Sequence, residues 1–426
     1  MEQTKKNPRV LTIAEGREEN KQVIIDLKAA AKKRDWQINH LEYINSDKLA
    51  RLDFSDIPLE YVLYRHLNNN YAETERFLDY LKHNGTIGIN FSAVGGRAAT
   101  SDKHYQQGLF LLDPFLKNYA LPTFEAKSKA NVMSYINGRR VSFPIVLKDR
   151  FGTAGKNITL IHNEDELDKI ESFNGLLIEQ YIEAEHDWRI FVVGGTAIGV
   201  MRKVGDPNHP EDFIAWSAGR DKFREEDRDT VELLNKIACR AAAVSGLEYT
   251  GVDVIQDKNT KKFYILETNF AAGWMNRFIT TTGVNVPDFV LDWFEDRDEA
   301  RTHSIKRSIK KYIDKRKQYL SREILSNYEA ILSGDKGITK KCADLFAEER
   351  KKYLYDTGFI FNELAKAYED IVDGNDPKEY LPLISEIEQM PLSWTGNFIG
   401  PYTGTLEEGA ILSALYLFIL DKTKEV

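Results

Sequence analysis

Residues 143–161 read Phe143-Pro-Ile-Val-Leu-Lys148-Asp-Arg150-Phe-Gly152-Thr-Ala-Gly155-Lys156-Asn157-Ile-Thr-Leu-Ile161. Two short apolar runs flank a loop of small residues, which predicts a β-hairpin with a cation, Lys148, at the end of its first strand. The loop is not a Walker A sequence, because Asn157 follows Lys156 and Arg150 stands five residues before Gly155. No G-x-G-x-x-G opens a helix either, so a dinucleotide fingerprint is absent. A hairpin of this kind folds backbone N–H groups over phosphates while the lysine neutralises them from beneath. An ordinary hairpin turn is the plainer alternative.

Working outward, the first hundred residues alternate strand and helix. Strands are expected at Val10–Ile13, Gln37–Tyr43, Tyr61–Tyr64 and Thr86–Asn90, and helices at Glu18–Arg34 and Tyr71–His83. That alternation argues a mostly parallel α/β sheet. Residues beyond 143 change texture. Leu176–Ile182, a hairpin of Arg189–Val193 with Thr196–Met201, and a second hairpin of Gly251–Ile255 with Lys262–Glu267 predict antiparallel sheet, interrupted by a helix over Asp229–Val244. From about Asp298 the strands stop. Helical spacing runs through Ile305, Ile309, Tyr312, Ile313, Leu320 and Ile324, and further helices are expected over Asp344–Val372 and Thr405–Lys422. The fold class expected is α+β with three parts: an N-terminal α/β domain at 1–100, a two-lobed domain at 101–297 and an all-helical extension at 298–426.

Composition excludes several function classes. The 426 residues carry a formal net charge of -8, with 58 Lys+Arg against 66 Asp+Glu, so a general nucleic-acid binder with its basic face is not expected. The two cysteines, Cys239 and Cys342, are too few and too far apart for a disulfide framework or a cysteine-rich zinc site. The polar start, Met1 to Pro8, is unlike a signal peptide, and the apolar run Gly409–Leu420 is too short to span a bilayer. A cytoplasmic protein without a membrane segment is the expectation.

Two further groups of residues point to chemistry. Asp253 and Glu267 fall on the two strands of the second hairpin, and Asn269 lies two residues beyond Glu267, so alternation turns all three one way. Two carboxylates and an amide oxygen are hard ligands of the kind Mg²⁺ takes while bridging nucleotide phosphates. Solvated polar residues on a hairpin edge are the alternative. Leu177-Ile-Glu179-Gln180-Tyr181-Ile182, followed by Asp187-Trp-Arg189, reads as a core strand with a polar exit, or as a strand leaving its sheet whose freed backbone groups suit a purine edge.

Taken in order, these groups resemble the ATP-grasp superfamily, and within it the RimK-like carboxylate–amine ligases. The resemblance runs from about Ser101 to Phe294. It takes in Ser101-Asp-Lys103, Ala120-Leu-Pro-Thr123, Pro144–Lys148, Gly152–Lys156, Glu179–Ile182, Asp187–Arg189, Met201-Arg202, Gly251-Val-Asp253 and Leu266-Glu-Thr-Asn269. It implies that Lys148 and the loop of Gly152, Thr153, Ala154, Gly155 and Lys156 hold the phosphates of ATP. Glu179, Gln180, Tyr181 and Ile182 would hold adenine, Asp187 the ribose, and Asp253, Glu267 and Asn269 would hold Mg²⁺, or Mn²⁺ in its place. Lys148 and Arg202 would serve catalysis, Arg202 facing the γ-phosphate; Lys103 is either a further nucleotide contact or a solvated helix lysine.

The implied activity joins a carboxylate to an amine on a small-molecule or peptide substrate through an acyl phosphate, releasing ADP and phosphate. An ATP-binding module or kinase-like ATPase that serves an assembly through its helical extension is the other reading, and a homo-oligomer is compatible with both. Two departures fall where substrate belongs. Relatives carry Arg-Ser-Asn ahead of a glycine pair where this chain has Phe213–Gly219, and Asn-Ala-Ser-Pro-Gly where it has Asn269-Phe-Ala-Ala-Gly273-Trp274. In the extension, the cations between Arg301 and Lys317 read either as a solvated helix face or as a rim that gathers an acidic substrate.

Overall fold

The computed structural model describes residues 9–17, 21–44, 46–51, 53–66, 71–91, 101–152, 157–203, 228–273, 278–279, 282–302, 305–346, 357–389 and 406–424. Twelve strands form three sheets of four among these residues. The first sheet holds β1 (Arg9–Glu15), β2 (Trp36–Leu41), β3 (Tyr61–His66) and β4 (Ile87–Ile89) in the order β2-β1-β3-β4, all parallel. Parallel strands require crossovers, and the helices Lys21–Ala31 and Tyr71–His83 supply two of them. Val23, Ile24, Leu27, Ala30 and Ala31 are the buried stripe of the first helix, as its sequence spacing predicts.

The second sheet contains β5 (Thr123–Ala126), β6 (Ile145–Asp149), β7 (Ile158–Ile161) and β8 (Leu176–Gln180), antiparallel in the order β5-β8-β6-β7. The third contains β9 (Ala184–Val193), β10 (Thr196–Lys203), β11 (Tyr249–Asp257) and β12 (Phe263–Asn269), antiparallel in the order β10-β9-β11-β12. Alternation splits the third sheet between two cores. Trp188, Ile190, Val192, Val252 and Val254 pack under the Arg228–Ser245 helix, while Phe191, Val193, Met201 and Tyr249 pack on the other side with Phe278 and Phe294.

The boundary expected at 297/298 falls inside a continuous helix, Val286–Thr302. Val290, Leu291 and Phe294 of that helix bury against Trp36 and Tyr61 of the parallel sheet, so no chain break in packing occurs there. The long helix expected over 344–372 is resolved as Ile338–Phe346 and Thr357–Val372, with 347–356, including Tyr353 and Tyr355, outside the described residues. Periodicity through 305–324 likewise covers two helices. Ser321 caps the second, its hydroxyl accepting from Ile324 N, and Gly334 ends it in the left-handed region at φ 83°.

Helix Leu406–Lys424 forms the centre of the helical extension, and Ala410 to Leu420 are buried on every side. None of the described helices is long and apolar enough to cross a membrane. The extension is tied to the sheets by charge as well as by apolar packing. Arg240 Nε donates to Asp113 at 2.6 Å and its Nη1 to Glu408 at 3.4 Å, all three side chains being buried. Leu406 N donates to Gly195 O in the β9–β10 turn. Asp296 takes both Arg316 and Lys315, each at 2.8 Å, and Ile309 and Ile313 are fully buried. Those two cations are therefore spent on packing the helix.

Candidate ATP and metal site

Strand register builds the site. In the third sheet Met201, Arg189, Asp253 and Glu267 stand opposite one another across β10, β9, β11 and β12. Side chains directly opposite share a face. Arg189 Nε donates to Asp253 Oδ1 at 2.8 Å and Nη2 donates to Oδ2, a two-pronged ion pair with both side chains buried. Burial disfavours the charged guanidinium, but Asp253, Glu267 and Asp187 outweigh that and hold its pKa above the ordinary value. Asn269 Nδ2 donates to Asp253 Oδ2 at 3.0 Å and to Glu267 Oε1 at 2.9 Å. The three residues expected to hold a metal are thus gathered at one point.

The donor set fits Mg²⁺: two carboxylates and one amide, all oxygen ligands once the Asn269 amide turns Oδ1 toward the acids. Among the described residues no group of three His, Cys, Asp or Glu is placed to hold a metal ion, so the third member of the set is an amide. Asp187 lies two residues before Arg189 and opposite Lys203, in the same phase of the strand. Arg202 does not join the row. It stands opposite Trp188, which packs with Leu234 and Ile237 beneath the helix. Alternation turns Arg202 toward the helix side of the sheet, the side on which Trp188 packs.

Lys148 and Glu179 form the corresponding pair in the second sheet. Lys148 Nζ is 2.7 Å from Glu179 Oε1, and Thr123 Oγ1 donates to the same oxygen at 3.0 Å. Lys148 is 7% exposed and Glu179 3%, so each charge depends on the other. Gln180, next along the strand, is tied to the turn before β6. Its side-chain Oε1 accepts from Ser142 N at 2.9 Å and its Nε2 donates to Ser142 O at 3.2 Å, while its own N–H donates to Pro122 O. The side chain closes the 142–144 turn. Tyr181 and Ile182 are half-buried at the strand exit, and burial, with Glu183 nearby, pushes the Tyr181 phenol above its ordinary value.

One residue connects the two sheets. Lys103 Nζ donates to Gly152 O at the root of the glycine loop and lies 3.4 Å from Glu267 Oε2. It begins the Lys103–Leu112 helix, which Asp102 caps by accepting from His104 N and Tyr105 N. Arg150, on the loop side of β6, grips the same Asp102 through Nε at 2.9 Å and Nη2 at 2.6 Å. The Lys103 ammonium is mostly buried, so the solvated-lysine alternative fails. Thr153, Ala154, Gly155 and Lys156 lie outside the described residues, as do Phe213–Gly219 and Trp274.

Residues 117–294 match the RimK-like ATP-grasp domain family. Among similar proteins, a probable alpha-L-glutamate ligase of Pseudomonas fluorescens (strain SBW25) is 29% identical over 174 residues, 39% of this chain and 53% of that one. A coenzyme gamma-F420-2:alpha-L-glutamate ligase of Methanocaldococcus jannaschii is 25% identical over 151 residues, 34% of this chain and 49% of that one. The chain spans about half the length of the curated relatives it matches. A solved structure of the ATP-grasp ligase PsnB complexed with a minimal precursor superimposes with a TM-score of 0.47 at 18% identity, over 66% of this chain and 97% of that one.

Sequence reasoning missed Arg189 as a member of the acidic row. The signal was present, because Arg189 sits two residues from Asp187 on a strand that must pair with Gly251–Asp253. Gly251, two residues before Asp253, is short of space on one side: a Cβ there would lie 3.0 Å from Ala272 Cβ, while its 3.5 Å approach to Arg189 Cδ is an ordinary contact.

Proposed function

We propose that the chain is an ATP-dependent ligase that joins a carboxylate to an amine, releasing ADP and phosphate. The contact made by Lys103 carries this reading: one ammonium touches both the root of the glycine loop and a carboxylate of the hard-ligand set. A phosphate chain held under the loop would therefore end beside Asp253, Glu267 and Asn269. Those three would hold Mg²⁺, which when bound neutralises phosphate charge and orients the terminal phosphoryl group.

The protein's own part is positioning and fixed charge. Lys148, on leaving Glu179, supplies an ammonium to the phosphates from the floor of the second sheet. Glu179 and the backbone of Tyr181 and Ile182 line the adenine end, and Asp187 the ribose. Arg189, rather than Arg202, is the cation beside the metal acids, where it balances Asp253 and faces charge developing on the transferred phosphoryl group. The substrate carboxylate oxygen attacks the γ-phosphorus and ADP leaves. An amine then attacks the acyl carbon, phosphate leaves, and the amine loses a proton to give the amide.

Support also comes from the names of the similar proteins, which are glutamate ligases, and a free amino acid or a peptide carboxylate is the substrate class proposed. The division into 1–100, 101–297 and 298–426 belongs to the same proposal, with the last boundary moved to the end of the helix at Thr302. The test is the nucleotide products. ADP and phosphate in equal amounts, dependent on Mg²⁺, are expected; AMP and pyrophosphate would refute the mechanism.

A further inference from the structure

Glu15 ends β1 and Arg65 lies near the end of β3, so the parallel sheet brings them together at its carboxyl edge. Both side chains are fully buried. Arg65 Nε donates to Glu15 Oε2 at 3.1 Å, and the other Glu15 oxygen accepts from Arg17 N at 2.9 Å. The two remaining arms of the guanidinium leave the sheet altogether. Nη1 donates to Ala272 O at 2.7 Å and Nη2 to Ala271 O at 2.8 Å. Tyr249 lies alongside, its ring centre 5.8 Å from the guanidinium carbon, and its hydroxyl also donates to Ala272 O.

The carbonyls gripped in this way belong to the turn that leaves Asn269. Ala272 N donates back to Asn269 O at 3.3 Å, and Asn90 Nδ2 holds Phe270 O at 3.0 Å. On the far side the turn meets the acidic row, since a Cβ on Gly251 would lie 3.0 Å from Ala272 Cβ. Residues 270–272 are thus held between an arginine of the N-terminal sheet and the strand that carries Asp253. A fork that fixes two successive carbonyls fixes the turn's direction, which an ammonium cannot do.

We propose that Arg65 is a positioning residue that sets Asn269 for the metal, so the affinity of the Asp253–Glu267–Asn269 set depends on the N-terminal sheet. This rests on the reading of those three residues as an Mg²⁺ site. Residues that orient metal ligands typically change metal affinity by about 10- to 100-fold when replaced. The guanidinium is committed to protein groups on every arm, so its effect passes through the turn rather than through substrate.

The experiment measures the affinity of the full chain for a non-hydrolysable ATP analogue with Mg²⁺ and again with a chelator, and takes the ratio. Variants are Arg65→Lys, which keeps an ion pair with Glu15 but loses the fork, and the double change Glu15→Met with Arg65→Met, which leaves no buried charge behind. Asn269→Ala is the control for the metal site. In the wild type Mg²⁺ tightens binding, and Asn269→Ala removes that gain. Either Arg65 variant, folded with a near-wild-type melting temperature, should lose about tenfold of the gain while its chelator affinity stays unchanged. A full Mg²⁺ gain in both would overturn the role of Arg65. No Mg²⁺ gain in the wild type, or a full gain in Asn269→Ala, would instead overturn the metal reading on which it rests.

Discussion

Arg189 and Asp253 oppose each other across β9 and β11, with Nε 2.8 Å from Oδ1 and a second guanidinium nitrogen on Oδ2. A carboxylate buried this deeply is ionised only because a buried cation accompanies it. That pairing aims Asp253 and offsets the cost of burying its carboxylate. Glu267 is less enclosed and has Lys103 3.4 Å away.

Arg189 and Glu267 should therefore respond differently to mutation. Removing one partner of a buried pair costs about 3–5 kcal/mol, so Arg189→Ala is expected to lower stability by that amount. Glu267→Ala should leave the melting temperature near wild type and lower turnover by about a hundredfold or more, as loss of an electrostatic contact to the transition state does. Thermal unfolding alongside ATP turnover separates the two effects; equal stability loss in both variants would contradict the assignment.

Lys148→Ala is expected to affect both quantities. Turnover should fall by about a hundredfold, since the phosphates lose a cation. Stability should also fall, by about 3–5 kcal/mol, because Glu179 keeps Thr123 but loses its buried charge partner. Glu179→Gln in the same background should restore much of the stability and none of the turnover, which chemical denaturation and an ATPase assay would show.

The site's chemistry was more legible in the sequence than its geometry. Asp253, Glu267 and Asn269 could be grouped because strand alternation and hairpin pairing are local rules, and the structure gathers them. Arg202 illustrates the limit. A one-residue difference in phase decides which face a strand residue takes, and the phase of β10 is set by its pairing with β9 through an irregularity between Ala197 and Gly199. Gln180 shows a related limit: its amide is held by the 142–144 turn, a contact 38 residues away in sequence. Lys103, Arg150 and Arg65 act through contacts that no spacing rule could supply.

Asp102 provides a pH test of the Arg150 latch. Burial opposes its ionisation, but the Arg150 hydrogen bond and the capped N–H groups of Tyr105 and His104 prevail and hold its pKa below the ordinary aspartate value. A depressed carboxylate contributes stability that is fully present above the unfolded pKa and lost as pH falls through the folded one. Asp102→Asn should thus be less stable than wild type at neutral pH, with the difference shrinking as pH falls below the ordinary aspartate range. Paired melting curves across pH check this; a gap that persists unchanged in acid would contradict it.

The helical extension should prove inseparable from the ATP-binding lobes. Truncation after Thr302 removes Glu408 and leaves Arg240 and Asp113 as a buried pair newly open to solvent, along with the surface beneath Leu406. An aggregating or poorly soluble fragment is expected by size-exclusion chromatography with light scattering. A soluble, monomeric fragment with full activity would show that the extension is an appendage.

The central claim is amide formation, and mass spectrometry of a complete reaction tests it most directly. The full chain is incubated with ATP, Mg²⁺ and a panel of amino acids and peptides. The account predicts a product equal to two panel members joined with loss of one water, formed in step with ADP and phosphate. Release of ADP and phosphate that needs neither carboxylate nor amine, with no joined product, would contradict it and favour an ATPase that works through its helical extension.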